Sequence, residues 1–599
     1  MKKYALVIVF LLLSFALTAA GLPPDDARYL EKEITFTLNP EGSWQKEYHH
    51  KVKLETYLAF NRMMGETFIE YNPQYQELKV LKSETVMKNG RKVPSPANAY
   101  NEVLPWRAHY FPYYSHLREM VVTHTGLERG AVIELDYVVK TKPGFLPYFS
   151  GREVIDDRVP CNRFVINISV PQGKELSCKV FNTEAKKLVK KENDRVLHTF
   201  IFENLESYFG EPLNGNSSRV AIVFSTAGGW DTAFPCYEKT GPLPEAAAKK
   251  VEQMKADAGT EDEFLFKLQG LVAEDITTCW LGMDLGGFTP RKMQDVFDSN
   301  YGTVIEKAYL MYHLLKQVKI PAEIIAVPYD RQMARDVPTF MQVQRFLVKV
   351  KSEAGKFLYL DPLHKSDRFY PYELGGVSVY NLQKKAVEEI GACACSAVDI
   401  SGKVKLEEKT MSGELNVSVK GYFYNFRSTI EDSKAALLSM VKGVLPVSEL
   451  EVKKITLLTP SQVSASVTVK GEILKELYDN RFQVDKFKFP YFVEEGMFYL
   501  TKRQTPLYLD AAFNCTVNLE VEIPGDMEIT FLAPQVSVKN NVGYYSHGAV
   551  SGASQQNVVT LSMALGYVKA VVEPGAYPEF WEIDSNYFEK EPLLVLKKK

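Results

Sequence analysis

Cysteine is scarce in this chain and scattered: seven in 599 residues, at 161, 178, 236, 279, 393, 395 and 515. An odd number, mostly placed singly, does not form a disulfide framework. Cys393-Ala394-Cys395 is the one close pair. It is too tight for an ordinary bridge within a strand, and no nearby His or second Cys pair completes a metal site. No run of 18 apolar residues occurs beyond Ala20, so nothing after it is long enough to cross a bilayer as a helix. Excess positive charge is absent as well. The 71 Lys and Arg stand against 74 Asp and Glu, a formal charge of -3, whereas nucleic-acid binding needs a basic face. The Lys597-Lys598-Lys599 tail is short and reads as a solvated end. Gly286-Gly287 lacks the Lys-Ser/Thr ending of a phosphate loop. No pattern calls for a cofactor or a metal.

What is present begins with an export signal. Lys2 and Lys3 precede an apolar run from Ala5 to Ala20 that ends in Thr18-Ala19-Ala20, the layout of a cleaved signal peptide over 1–20. The competing reading, a retained anchor, needs a longer apolar span. No Cys follows the run, so lipid attachment at a lipobox is not expected. A periplasmic or secreted protein with no transmembrane segment after cleavage is expected. The remaining ~580 residues suffice for three to five domains.

Three regions separate by pattern. From 23 to 225 the reading is a β-sandwich. Ile133, Leu135, Tyr137 and Val139 alternate, as do Phe164, Ile166, Ile168 and Val170, and Asn89-Gly90 marks a two-residue hairpin. Gly228-Gly229-Trp230 reads as a linker. From 240 to 395 helices and strands mix. Pro244 suits a first helical position, and Glu261, Asp262 and Glu263 complement a helix start. Val304, Ala308, Met311 and Leu315 share one helix face, and strands are expected at 323–327, 345–350 and 358–361. From 396 to 599 alternation returns at 415–419, 463–469 and 517–523, interrupted by one helix between Ser428 and Val441. The fold class is multidomain α+β, with a β-rich sandwich at each end.

Several motifs carry a resemblance. Gly286-Gly287-Phe288-Thr289-Pro290, Tyr301-Gly302-Thr303-Val304-Ile305-Glu306-Lys307-Ala308 and Tyr359-Leu360-Asp361-Pro362 resemble the bacterial transglutaminase-like (papain-like) core. Tyr114-Ser115-His116-Leu117-Arg118 and Gly130-Ala131-Val132-Ile133-Glu134 resemble the DUF3857 β domain that precedes such cores in exported bacterial proteins. Tyr577-Pro578-Glu579-Phe580 through Leu594-Val595-Leu596 is similar to the end of that family's third domain. The likeness spans nearly the whole chain beyond Ala20.

The resemblance implies a Cys-His-Asp triad, and this chain departs from it. A Cys opening a helix has its thiolate favoured by the helix dipole, a His acts as base, and an Asp orients the His. Position by position these become Val304, Arg345 and Asp361. Valine carries no nucleophile, and a guanidinium stays protonated and cannot act as base. Losing the nucleophile alone costs about a millionfold in a comparable triad. The likeness therefore implies a pseudoenzyme with vestigial positions and no catalytic residue.

Substitutes are poor. Cys279-Trp280 reads as buried packing, Thr303 as an N-cap, His313 as more than two turns from the helix start, and His364 as a solvated loop residue. Arg345 and Asp361 are expected to meet in two parallel hydrogen bonds. The run His109-Tyr110-Phe111-Pro112-Tyr113-Tyr114 reads as core and turn; exposed, it would stack on sugars or hold a partner. The expectation is a non-catalytic binding or scaffolding protein that engages a peptide, glycan or envelope protein. The alternative is a cysteine-independent peptidase or amide transferase.

Overall fold

Strands dominate the chain and gather into several sheets. The computed structural model describes residues 25–599 except 209, 212–218, 235–239, 288–289, 330, 332, 353–354, 356, 366–368, 392–395, 425–429, 446, 460–461, 491–501 and 553–556. The expected signal peptide, Cys236 and the Cys393-Ala394-Cys395 cluster lie outside the described residues. Among the described residues no helix is long and apolar enough to cross a membrane.

The first region is built on an eight-stranded sheet centred on a parallel pair, Ala27–Leu38 with Cys161–Pro171, flanked by antiparallel neighbours. Phe164, Ile166, Ile168 and Val170 all point into one core, as period-two alternation requires. Across that core lies a three-stranded sheet of Ser177–Phe181, Ala221–Ser225 and Ser150–Val154, and Phe224 meets Phe36 at 4.9 Å between ring centres. The turn at Asn89-Gly90 is longer than two residues. Met87 N donates to Arg91 O and Gly90 N to Met87 O, so three residues lie between the paired ends. Gly90 takes a φ of +85°, open to glycine without strain.

The aromatic run is neither wholly core nor wholly surface. Ala108, Phe111, Tyr114 and Leu117 are buried together against Cys279, Leu281, Leu285 and Tyr301. That spacing of three follows from successive 3-10 turns, in which side chains at i and i+3 eclipse. The other phases face water: Trp106 is 70% exposed and Tyr110 86%.

The middle region has a five-stranded antiparallel sheet in the order Phe357–Leu360, Val343–Lys351, Ala322–Pro328, Ser378–Asn381, Ala386–Glu389. The helix Val304–Gln317 crosses one face. Ile324, Ala326, Phe346, Val348 and Val350 pack with it, while Ile325, Val327, Leu347 and Tyr359 pack on the opposite face under Leu374, Val377 and Ile390. The helix is buried on more than the expected single stripe. Ile305 through Met311 are all buried, because helices Glu245–Ala256 and Met293–Ser299 flank it as well as the sheet. Pro244 is the N-cap of the first of these helices, extended at ψ 150°, and not its first helical residue.

The last region repeats the plan of the first. An eight-stranded sheet is centred on the parallel pair Ser396–Glu407 with Phe513–Glu522, and a four-stranded sheet and helix Tyr577–Phe588 close its core. The expected interrupting helix is Ile430–Val444. The presumed linker is packed: Trp230 stacks on Tyr380 at 4.9 Å and donates to Arg335 O at 2.8 Å. Near the end of the first region, Glu211 accepts from Gln504 N and Thr505 N at 2.9 Å each, tying it to the last.

Candidate functional site

The start of the Val304 helix is held by a buried charge network. Thr303 is its N-cap, as expected, and Glu306 reaches back to accept from Thr303 N at 2.8 Å. Glu306 also pairs with Arg291, whose Nη2 lies 3.1 Å from Oε2 with both side chains nearly inaccessible (2% and 1%). Arg291 Nη2 donates to Tyr301 O at 2.6 Å, and its guanidinium stacks 4.2 Å over the Tyr301 ring. Burial works against the Arg291 charge, but Glu306 outweighs it and the guanidinium is held more firmly protonated than usual. One residue on, Lys307 is wholly buried, and Nζ donates to Ala273 O at 3.2 Å and Thr278 Oγ1 at 2.8 Å. Burial pulls this amine down to about 8 against the pull of Asp361. Gly302 sits in a close approach: a Cβ there would lie 3.1 Å from Val296 Cγ1, which would have to give by a few tenths of an ångström.

Val304 faces a cavity of about 570 Å³ between the first and middle regions. From the sheet, Val343, Gln344 and Phe346 line it. Arg345 does not. Phe346 and Val348 belong to the core under the helix and Leu347 to the core behind the sheet, so alternation puts Arg345 behind the sheet too. Gln344 faces the cavity because the register skips it: Val327 pairs with Arg345 and Pro328 with Val343. Such a bulge re-aims one side chain next to a site. Pro328 was the sequence signal for it, since proline within a sheet sits at edges and bulges.

The opposite wall comes from the first region. Glu70, on strand Glu66–Tyr71, pairs with Arg107 at 3.3 Å, and both line the cavity. Burial raises the Glu70 carboxyl, Arg107 opposes, and Glu119 and Asp284 push it further up. Asp284 keeps accessible surface on the cavity wall but is crowded by protein, and this burial raises its carboxyl as well. Arg152 lies 4.5 Å over the Tyr329 ring. Trp280 was expected to be packed; it is 53% exposed on the cavity wall, although Cys279 beside it is fully buried.

The Arg345–Asp361 pairing differs from the expected fork. Arg345 Nη1 is 3.6 Å from Asp361 Oδ2, while Nη2 turns to Glu373 Oε1 at 2.5 Å. Asp361 spends its oxygens locally, accepting from Leu363 N at 2.8 Å and meeting His364 Nδ1 at 3.3 Å. His364 is thus paired as well as solvent-facing, and the hydrogen bond to Asp361 raises its pKa. His313 meets Thr240 Oγ1 at 2.9 Å, and burial lowers its pKa. The Cys279 thiol is pushed up to about 12 by burial, the wrong direction for a nucleophile. Among the described residues no three of His, Cys, Asp or Glu gather in a way that could hold a metal ion.

Two family models match the chain. One described as "Domain of Unknown Function with solved-structure structure (DUF3857)" covers residues 40–209, and another so described (DUF3858) covers 479–587. No curated protein matches. The chain is similar to a crystal structure described as "a putative protease" from Parabacteroides distasonis ATCC 8503, at 22% identity and a TM-score of 0.70, over 96% of this chain and 99% of that one. It shares the fold with that protein. An M1 zinc metallopeptidase from Deinococcus radiodurans aligns at 11% identity over 33% of this chain and 42% of that one, with a TM-score of 0.19, too low for likeness of fold.

Proposed function

We propose that this chain is a non-catalytic, exported binding or scaffolding protein built on a transglutaminase-like core, engaging a peptide, glycan or envelope protein in the cleft at the start of the Val304 helix. One observation carries the reading: the helix start lines the cleft with Thr303, Val304 and Ile305, and the side chain at 304 is an aliphatic one. Its relation to a lost triad is part of the proposal, with one amendment. The position across the cleft is better assigned to Gln344, which lines it, than to Arg345, which lies behind the sheet. Asp361 stays as the third vestigial position.

The amendment is testable by reconstruction. Val304→Cys places a thiol at a helix N-terminus, where its pKa falls. Adding Gln344→His is expected to speed iodoacetamide alkylation of that thiol at pH 6.5 by at least tenfold over Val304→Cys alone, whereas Arg345→His leaves it unchanged. The opposite ranking would restore the original mapping. The parent protein is expected to turn over neither peptides nor glutamine and amine donors; steady turnover would overturn the non-catalytic reading.

An alternative, a cysteine-independent peptidase or amide transferase, has one observation in its favour. Lys307, an amine pulled down to about 8, lies 2.8 Å from the Thr278 hydroxyl, a base beside a nucleophile. Turnover abolished by Thr278→Val would establish it.

A further inference from the structure

The walls of the cleft narrow the choice of occupant, and the inference rests on the binding reading above. Trp280 exposes about half its surface on the cavity wall, an apolar area that folding would otherwise cover. Two more exposed aromatics sit next to cavity residues. Trp106 precedes Arg107, and Phe68, 57% exposed, shares a strand face with Glu70 two residues on. Tyr110 and Tyr113 are exposed beside and within the following 3-10 turn.

Between the rings stand flat polar groups, the Glu70–Arg107 pair, Asp284 and Arg152, all lining one cavity. Two carboxylates and two guanidiniums balance in charge, so the wall favours neither an anionic nor a cationic polymer. Asp284 keeps an exposed face on the cavity, and burial raises the Glu70 carboxyl, which means that the Glu70 carboxylate lacks part of the solvation it would have in water. Hydroxyl donors would supply it. Exposed indole faces beside bidentate acceptors and donors match the two surfaces of a pyranose: its C–H face stacks on an aromatic ring, and its adjacent hydroxyls bridge a carboxylate or guanidinium.

We propose that this cleft binds a neutral oligosaccharide, with Trp280 as the stacking platform and Glu70, Arg107 and Asp284 as hydrogen-bond partners of its hydroxyls.

The test is calorimetry and tryptophan fluorescence on the full exported chain. The probes are neutral hexasaccharides of β1-4 glucose, α1-4 glucose, β1-4 mannose and β1-4 N-acetylglucosamine, beside a library of unmodified decapeptides. At least one hexasaccharide is expected to bind, and Trp280→Ala and Glu70→Gln should each weaken it at least tenfold with the melting temperature unchanged. Tyr478→Ala, 77% exposed in the last region, should leave affinity as it was. Failure of every saccharide, or binding indifferent to Trp280→Ala and Trp280→Phe alike, overturns the proposal. Peptide binding weakened by Trp280→Ala overturns it while leaving the non-catalytic reading standing; peptide cleavage overturns both.

Discussion

The Val304 helix start and the Arg345–Asp361 corner belong to the same middle region, yet they are held in opposite ways. At the helix start every charge is buried and answered: Arg291 by Glu306 and the Tyr301 carbonyl, Lys307 by a carbonyl and a hydroxyl. At the corner the guanidinium is about a quarter exposed, shared between two carboxylates, and one of its contacts is long. The difference teaches that the geometry of the helix start rests on its own network and asks nothing of a nucleophile. The contrast is broken most severely by removing one buried partner. Arg291→Ala or Glu306→Ala strands a charge and is expected to cost about 3–5 kcal/mol in urea denaturation. The double change Arg291→Met with Glu306→Leu should lose less than either, because no orphan charge remains. Single changes costing under about 1 kcal/mol would place the network's worth elsewhere.

Lys307 sharpens the comparison through pH. Its folded pKa of about 8 lies below the ~10.4 of an unfolded lysine, so between those values the unfolded chain holds more protons. Stability therefore rises with pH across that window. Relative to Lys307→Met, the parent is expected to gain about 2–3 kcal/mol between pH 7.5 and 10.5, read from urea midpoints. Parallel curves for the two proteins would mean that Lys307 is already neutral or solvated.

Much of this was legible beforehand where one residue pattern answers to one physical demand. Thr303, three residues before Glu306 and ahead of an apolar run, spelled a cap, and the cap is there. Alternation at 133–139 and 164–170 gave strands with the right face inward. The departures from the expected pattern share a cause: strict periodicity was assumed where the backbone changes period. The skipped Gln344 turned Arg345 behind the sheet, and only Pro328 hinted at the bulge. The aromatic run looked like core because its period of three, Ala108-Phe111-Tyr114-Leu117, belongs to 3-10 turns and matches neither helix nor strand. Glu70, Arg107 and Asp284 were invisible as a group, since the first two come from the first region and Asp284 from the middle one, and they meet only when those regions dock.

The smallest expected effect is at the corner. Arg345→Ala should change stability by no more than about 1 kcal/mol, as for other partly exposed pairs, and salt should shrink it further. The two carboxylates can still be ranked. Glu373 meets the guanidinium at 2.5 Å, a charge-assisted hydrogen bond, but its side chain is 40% exposed; Asp361 is more buried yet stands 3.6 Å away, beyond a hydrogen bond. If geometry outweighs burial, a double-mutant cycle of Arg345→Ala with Glu373→Gln gives the larger coupling, and one with Asp361→Asn the smaller. The reverse order would mean that Asp361 takes the guanidinium as its main partner in solution, its greater burial outweighing the longer contact.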